Sequence, residues 1–97
     1  MSDYTGWVVR ATAGRDKDGL FCVVGVDRER NLLLLADGKR RKAARPKGKK
    51  FGHVEPLTGE ARGFDHPAIQ KLKQGEPVSD RELRRALAAF KEGITLG

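Results

Sequence analysis

The chain has one cysteine, Cys22, in 97 residues. No disulfide can form within it, and such usage fits a reducing compartment. Aromatic residues are scarce: one Trp, one Tyr and four Phe. Long apolar runs are missing too. The longest spans about six residues, against the roughly 18–20 that a membrane-crossing helix needs. The first residues, MSDYTGWVV, have no basic segment followed by an apolar one, so no signal peptide is expected. These absences point to a soluble, cytoplasmic protein with no membrane partner and a single small domain. A domain this short buries a limited share of its surface and depends on good cover for its apolar faces.

Catalytic groups are also few. The nucleophile candidates are Ser2, Ser79 and Cys22. Ser2 is terminal, Ser79 sits where a helix cap is expected, and Cys22 alternates within an apolar run, the setting of a buried structural thiol. His53 and His66 lack the Cys or His neighbours of a metal site. No phosphate-cradling glycine loop of the Walker type occurs. Asp16, Asp18 and Asp27 look like turn residues rather than a carboxylate pair. The expectation is a protein without catalytic residues, metal or cofactor.

What the chain does have is positive charge in one place. The net charge is +7, and KRRKAARPKGKK, residues 39–50, holds eight Lys or Arg among its twelve residues. The remainder of residues 1–60 is net negative. A focused basic patch is the footprint of a polyanion partner. The competing readings are a solvated face, a disordered tail, a nuclear-import signal and a membrane-surface anchor. The last would carry its cations and apolar residues on one helix, which this run does not.

Residues 6–57 read as short strands and turns. GWVVRAT (6–12) places Val9 and Ala11 on one face, and Val8, Arg10 and Thr12 on the other. LFCVVGV (20–26) and NLLLLA (31–36) are apolar on both faces. Such strands need cover on both sides. Either the sheet curls into a small barrel, or another layer packs on its outer face. Asp37-Gly38 is a two-residue hairpin signal, so residues 39–43 are expected to return as a strand beside residues 32–36. Pro46 and Gly48 would end that strand, leaving residues 45–50 as an extended loop. FGHVEPL (51–57) is a weak fifth strand.

From Thr58 the pattern changes. TGEARGF (58–64) reads as a linker. A short helix is expected over 67–74, capped by Asp65 or His66, opened by Pro67 and stopped by Gly75. A second helix begins at a Ser79/Glu82 capping box with Val78 and Leu83 as a hydrophobic staple. Leu83, Leu87, Phe90 and Ile94 recur on one face at helical spacing, with Arg81, Arg84, Arg85 and Lys91 around the remainder. The stripe should bury itself on the outer face of the sheet or on a partner.

The stretch VVRATAGRDKDGLFCVV (8–24) resembles the KOW motif, a strand, a tight basic loop with glycine, and a second strand. The resemblance rests on Val9, Ala11, Gly14, Arg15, Asp16, Lys17 and Val23. The continuation LLLLADGKRRKAARPKGKKFGHVEPL (32–57) is similar to small bacterial KOW-domain proteins related to the archaeal and eukaryotic large-subunit ribosomal proteins of the fourteen/six/twenty-seven "e" group. The match covers roughly residues 5–57. It departs at Asp18, where the motif has glycine directly after the loop lysine. Aspartate tolerates left-handed backbone angles, but its charge lowers the local positive potential.

The resemblance implies RNA binding, commonly to ribosomal RNA, and an SH3-like five-stranded barrel over 5–57. The helical extension over 65–94 lies outside it and rests on the capping and periodicity above, so the expected fold is mainly β with C-terminal α. The candidate RNA contacts are Arg10, Arg15, Lys17, Lys39, Arg40, Arg41, Lys42, Arg45, Lys47, Lys49 and Lys50. Phe51 and His53 are candidate base contacts, and Trp7 a packing residue. Ribosomal proteins are candidate secondary partners. The alternative is an SH3-like protein-interaction module or an accessory domain of a transcription or translation factor.

Overall fold

The computed structural model describes residues 4–59 and 64–93. Ser2, Ile94 and most of the linker at 60–63 lie outside the described residues. Five strands form one antiparallel sheet: β1 (Val8–Ala11), β2 (Leu20–Asp27), β3 (Leu32–Ala36), β4 (Lys47–Lys49) and β5 (Val54–Pro56). Their order is β4-β3-β2-β1-β5. Helices α1 (Pro67–Lys73) and α2 (Asp80–Lys91) follow. Among the described residues, no helix is long and apolar enough to cross a membrane.

Alternation along the strands creates two apolar faces. Val9, Ala11, Phe21, Val23, Leu33, Leu35 and Val54 form one buried cluster. Val8, Cys22 and Ala36, on the opposite face, join Ile69, Leu72, Leu83 and Leu87 of the helices in a second. Among the described residues, no helix residue contributes to the first cluster, yet its members are buried. The sheet therefore folds over its own inner face. The chain path requires the same curvature. β4 and β5 are the two outer strands, but only Lys50 and one 3₁₀ turn (Phe51–His53) connect them. Four intervening residues that include a 3₁₀ turn span roughly 13 Å, less than the ~19 Å across a flat five-stranded sheet. A bulge at Val24, where pairing steps from Val23↔Leu35 to Gly25↔Leu34, adds local twist. The sheet is strongly curved but not closed: no ladder joins β4 to β5 among the described residues.

Two expectations about strands are corrected. Residues 39–43 are not a strand; the partner of β3 is Lys47–Lys49, in the segment expected to be loop. Residues 51–57 begin with the 3₁₀ turn, and only Val54–Pro56 pairs, with β1.

Both helices start where local chemistry directs. His66 Nδ1 accepts the Ala68 N–H and Pro67 opens α1, its missing N–H costing nothing there. Gly75, at φ +76°, ends that helix. Ser79 and Glu82 complete the reciprocal capping box on α2. Leu83, Ala86 and Leu87 face the sheet, and Phe90 packs at the rim against Phe64. Cys22 is buried beneath the helices. Burial, then the nearby Asp37 carboxylate, pushes its thiol up to about 12, so it stays neutral and unreactive at ordinary pH.

The helices are also joined by Lys71 Nζ, 2.7 Å from Glu82 Oε2. The Lys71 hydrogen bond, then the Ser79 backbone N–H, lowers the Glu82 carboxyl from 4.5 to about 2. A group whose pKa falls on folding stabilises above its unfolded value and loses that contribution as pH falls through its folded value. Glu82→Gln keeps a capping acceptor but removes the charge. Its melting temperature should lie below that of the parent near pH 6, with the gap closing as pH falls from about 4.5 to about 2. A gap that is constant over this range, followed by thermal unfolding, would assign no role to the ion pair.

Candidate nucleic-acid interface

The basic run is a folded loop rather than a hairpin strand. A type I′ turn requires positive φ at both central residues. Gly38 has φ +78°, but Asp37 is not among the residues with positive φ. Asp37 instead uses its side chain. Its Oδ1 accepts the N–H groups of Lys39 and Arg41, both at 2.9 Å. The Arg41 carbonyl accepts from Asp37 N and Gly38 N at 3.0 Å, which closes the turn. A second turn follows, with Arg45 N–H donating to the Lys42 carbonyl at 2.9 Å. Pro46 then leads into β4.

Helix α2 holds this loop from below. Asp80 Oδ1 accepts the Ala43 N–H at 2.7 Å, and Arg84 Nη1 donates to the Gly38 carbonyl at 2.7 Å. The approach is so close that a Cβ at residue 38 would land on the Asp80 carbonyl. Only glycine fits.

The β1–β2 loop meets the same surface. Arg41 Nη2 lies 2.9 Å from Asp16 Oδ2, whose side chain is only 7% exposed. Arg15 and Lys17 flank Asp16, and Arg40 and Lys42 flank Arg41, so one ion pair brings two basic segments together. Asp18 adopts φ +73°, so the loop keeps its left-handed turn without the expected glycine.

The candidate contacts then divide. Arg15, Lys17, Lys39, Arg40, Lys42, Arg45, Lys47 and Lys50 are exposed and make no salt bridge among the described residues. Arg10 is already occupied. Its Nη2 lies 2.6 Å from Glu55 Oε1 and its Nη1 lies 2.7 Å from Asp18 Oδ1. The Glu55 hydrogen bond and charge raise its pKa further. Arg41 is committed to Asp16. Lys49 is buried: it pairs with Leu33 in the ladder, which puts its stem on the inner face of the sheet. Its ammonium group reaches Gly14, where an added Cβ would sit 3.1 Å from Nζ. These three cations are held within the fold, and the other eight are exposed without a salt bridge among the described residues.

Searches against protein-family models and curated proteins find no match to this chain.

Aromatic placement adds what the sequence pattern did not suggest. Among the described residues, Phe51 and Tyr4 are the exposed large apolar ones, at 46% and 38%. Their ring centroids are 5.1 Å apart, and Tyr4 also contacts Trp7 edge-on at 4.7 Å. Tyr4 had no assigned role, because no local signal links it to a residue so distant in the chain. His53 is exposed, and its carbonyl accepts the Thr12 N–H. The roles of Asp80 and Arg84 were equally hidden. In sequence they are a first-turn acid and a surface cation of α2.

Gly38→Ala tests the loop seat. It introduces both left-handed strain and a backbone clash, and should cost roughly 2–4 kcal/mol in urea unfolding. Gly75→Ala has similar strain at φ +76° but open space around the new methyl, and should cost only about 1 kcal/mol. Equal costs would contradict the close seating of the loop on α2.

Proposed function

We propose that this protein is a non-enzymatic RNA-binding protein of the KOW type, built on an SH3-like barrel and acting on ribosomal RNA in the cytoplasm. The observation that carries the reading is the Asp16–Arg41 ion pair at 2.9 Å, which joins the KOW-like loop to the basic loop. The carboxylates of this region have partners within the fold: Asp16 holds Arg41, Asp37 and Asp80 accept backbone N–H groups, and Asp18 is paired with Arg10. The exposed cations that make no salt bridge among the described residues can replace the counterions of a phosphate backbone.

The SH3-like part of the reading is supported by two features. One is the 4-3-2-1-5 strand order with a 3₁₀ turn between the outer strands. The other is an inner apolar cluster covered by the sheet itself. The non-enzymatic part is supported by the buried, neutral Cys22 and by a Ser79 hydroxyl already engaged in capping.

A variant combining Arg15→Gln, Lys42→Gln, Lys47→Gln and Lys50→Gln tests the reading without touching the structural cations. It should unfold at nearly the parent temperature, since exposed substitutions change stability by about 0.5 kcal/mol or less each. Its RNA affinity should fall, and the slope of log affinity against log salt should become shallower by about 3. In lysate gradients at low salt, the parent should sediment with ribosomes and the variant should not. An unchanged slope would reduce the basic run to a solvated face. Recovery of the parent only in the free fraction would remove the ribosome from the reading.

A further inference from the structure

We infer that Phe51, buttressed by the Tyr4 ring tilted 42° to it, forms a stacking platform for one unpaired base, so that the RNA partner of this surface presents a single-stranded segment. The inference rests on the RNA-binding reading and specifies what it binds. Phe51 directly follows Lys49 and Lys50 and opens the 3₁₀ turn that joins the two outer strands. The residue is 46% exposed although its ring packs on Tyr4. Beside it, Gly52 leaves open space: an added Cβ there would meet nothing within 4 Å. No other residue crowds that position next to the ring.

Tyr4 is held against Phe51 by an uncommon backbone. Its φ is +72°, a conformation that bulky L residues rarely adopt. The turn is fixed by the Trp7 N–H donating to the Tyr4 carbonyl at 3.0 Å and by the Gly6 N–H donating to the Val23 carbonyl at 2.8 Å. Trp7 is half-buried and abuts Gly59, so it serves as the floor. Strain of this kind, spent on presenting an aromatic ring to solvent, is more typical of binding sites than of packing.

The charge around the platform favours a polyanion over an apolar protein surface. Lys50 is exposed beside Phe51 and makes no salt bridge among the described residues, and His53 is exposed two residues further on. The nearby carboxylate of Glu55 is taken by Arg10. Exposed aromatic rings next to a cationic track are the usual means of holding single strands, because every base has a face to stack.

The test compares a ten-nucleotide single-stranded RNA with an RNA duplex of equal length, at several salt concentrations. Tyr4→Leu keeps apolar cover over Trp7, and it and Phe51→Leu each replace a ring by an apolar side chain. Each should weaken single-strand binding about 5- to 100-fold, with an unchanged salt slope and unchanged duplex affinity. On the parent protein, the single strand should shift the Phe51 and Tyr4 ring protons upfield, a readout independent of any variant. If the parent binds single strands but both Leu variants match it, the platform is overturned while RNA binding stands. Preference of the parent for the duplex, or equal losses on both RNAs, would also overturn it. If the parent binds neither RNA, the underlying reading fails and the platform falls with it.

Discussion

The N-terminal half of α2 carries the loop that carries the charge. Asp80 accepts the Ala43 N–H, Arg84 donates to the Gly38 carbonyl, and the missing side chain of Gly38 lets the two backbones meet. A segment with this density of Lys and Arg repels itself and would be expected to stay extended in water. Here carboxylates bind its backbone instead of neutralising its side chains. Asp37 takes two N–H groups and Asp80 a third. The loop is fixed, and its cations remain free for a partner. Asp16 is the exception: it binds the Arg41 guanidinium and thereby registers the β1–β2 loop on the same surface.

That arrangement gives the helices a purpose beyond cover. A strongly curved sheet with apolar residues on both faces buries its inner face by itself, but its outer face exposes Val8, Cys22 and Ala36 unless something packs there. α1 and α2 supply that layer through Ile69, Leu72, Leu83 and Leu87. In a chain with no disulfide, such a layer is a substantial share of the stabilising burial. The residue before the first turn of α2 caps it, the first turn itself seats the basic loop, and Glu82 ties it to α1. Removing the helix would thus disturb the charged surface as well as the core.

Local chemistry was legible in the sequence and long-range seating was not. The capping box, the Pro67 start, the Gly75 stop and the alternation of Val8 against Val9 and Ala11 all follow from patterns a few residues long. The tolerance of Asp18 for a left-handed angle was legible for the same reason. The Asp37-Gly38 pair misled, because the same residues suit either an I′ hairpin or a turn closed by the Asp side chain. Contacts made elsewhere, by Asp80 and Arg84, chose between them. The basic run was recognised as one unit, but its strand and loop halves were exchanged. Which cations are structural was also invisible. Arg10, Arg41 and Lys49 look like their neighbours until Glu55, Asp16 and the inner face of the sheet are in place. The pairing of Tyr4 with Phe51 has no local signal at all, since it depends on the chain returning from β4 to β5 beside the start of β1.

The central claim is that an ordered, carboxylate-held loop and the adjoining β1–β2 loop together form the surface that meets RNA. Titrating uniformly ¹⁵N-labelled protein with RNA and following every backbone amide tests it most directly. The largest shifts should fall on residues 15–17 and 39–51, with the amides of α1 and the outer turns of α2 nearly unmoved. Shifts centred on α1 and α2, or none at any RNA concentration that saturates a control binder, would contradict the account.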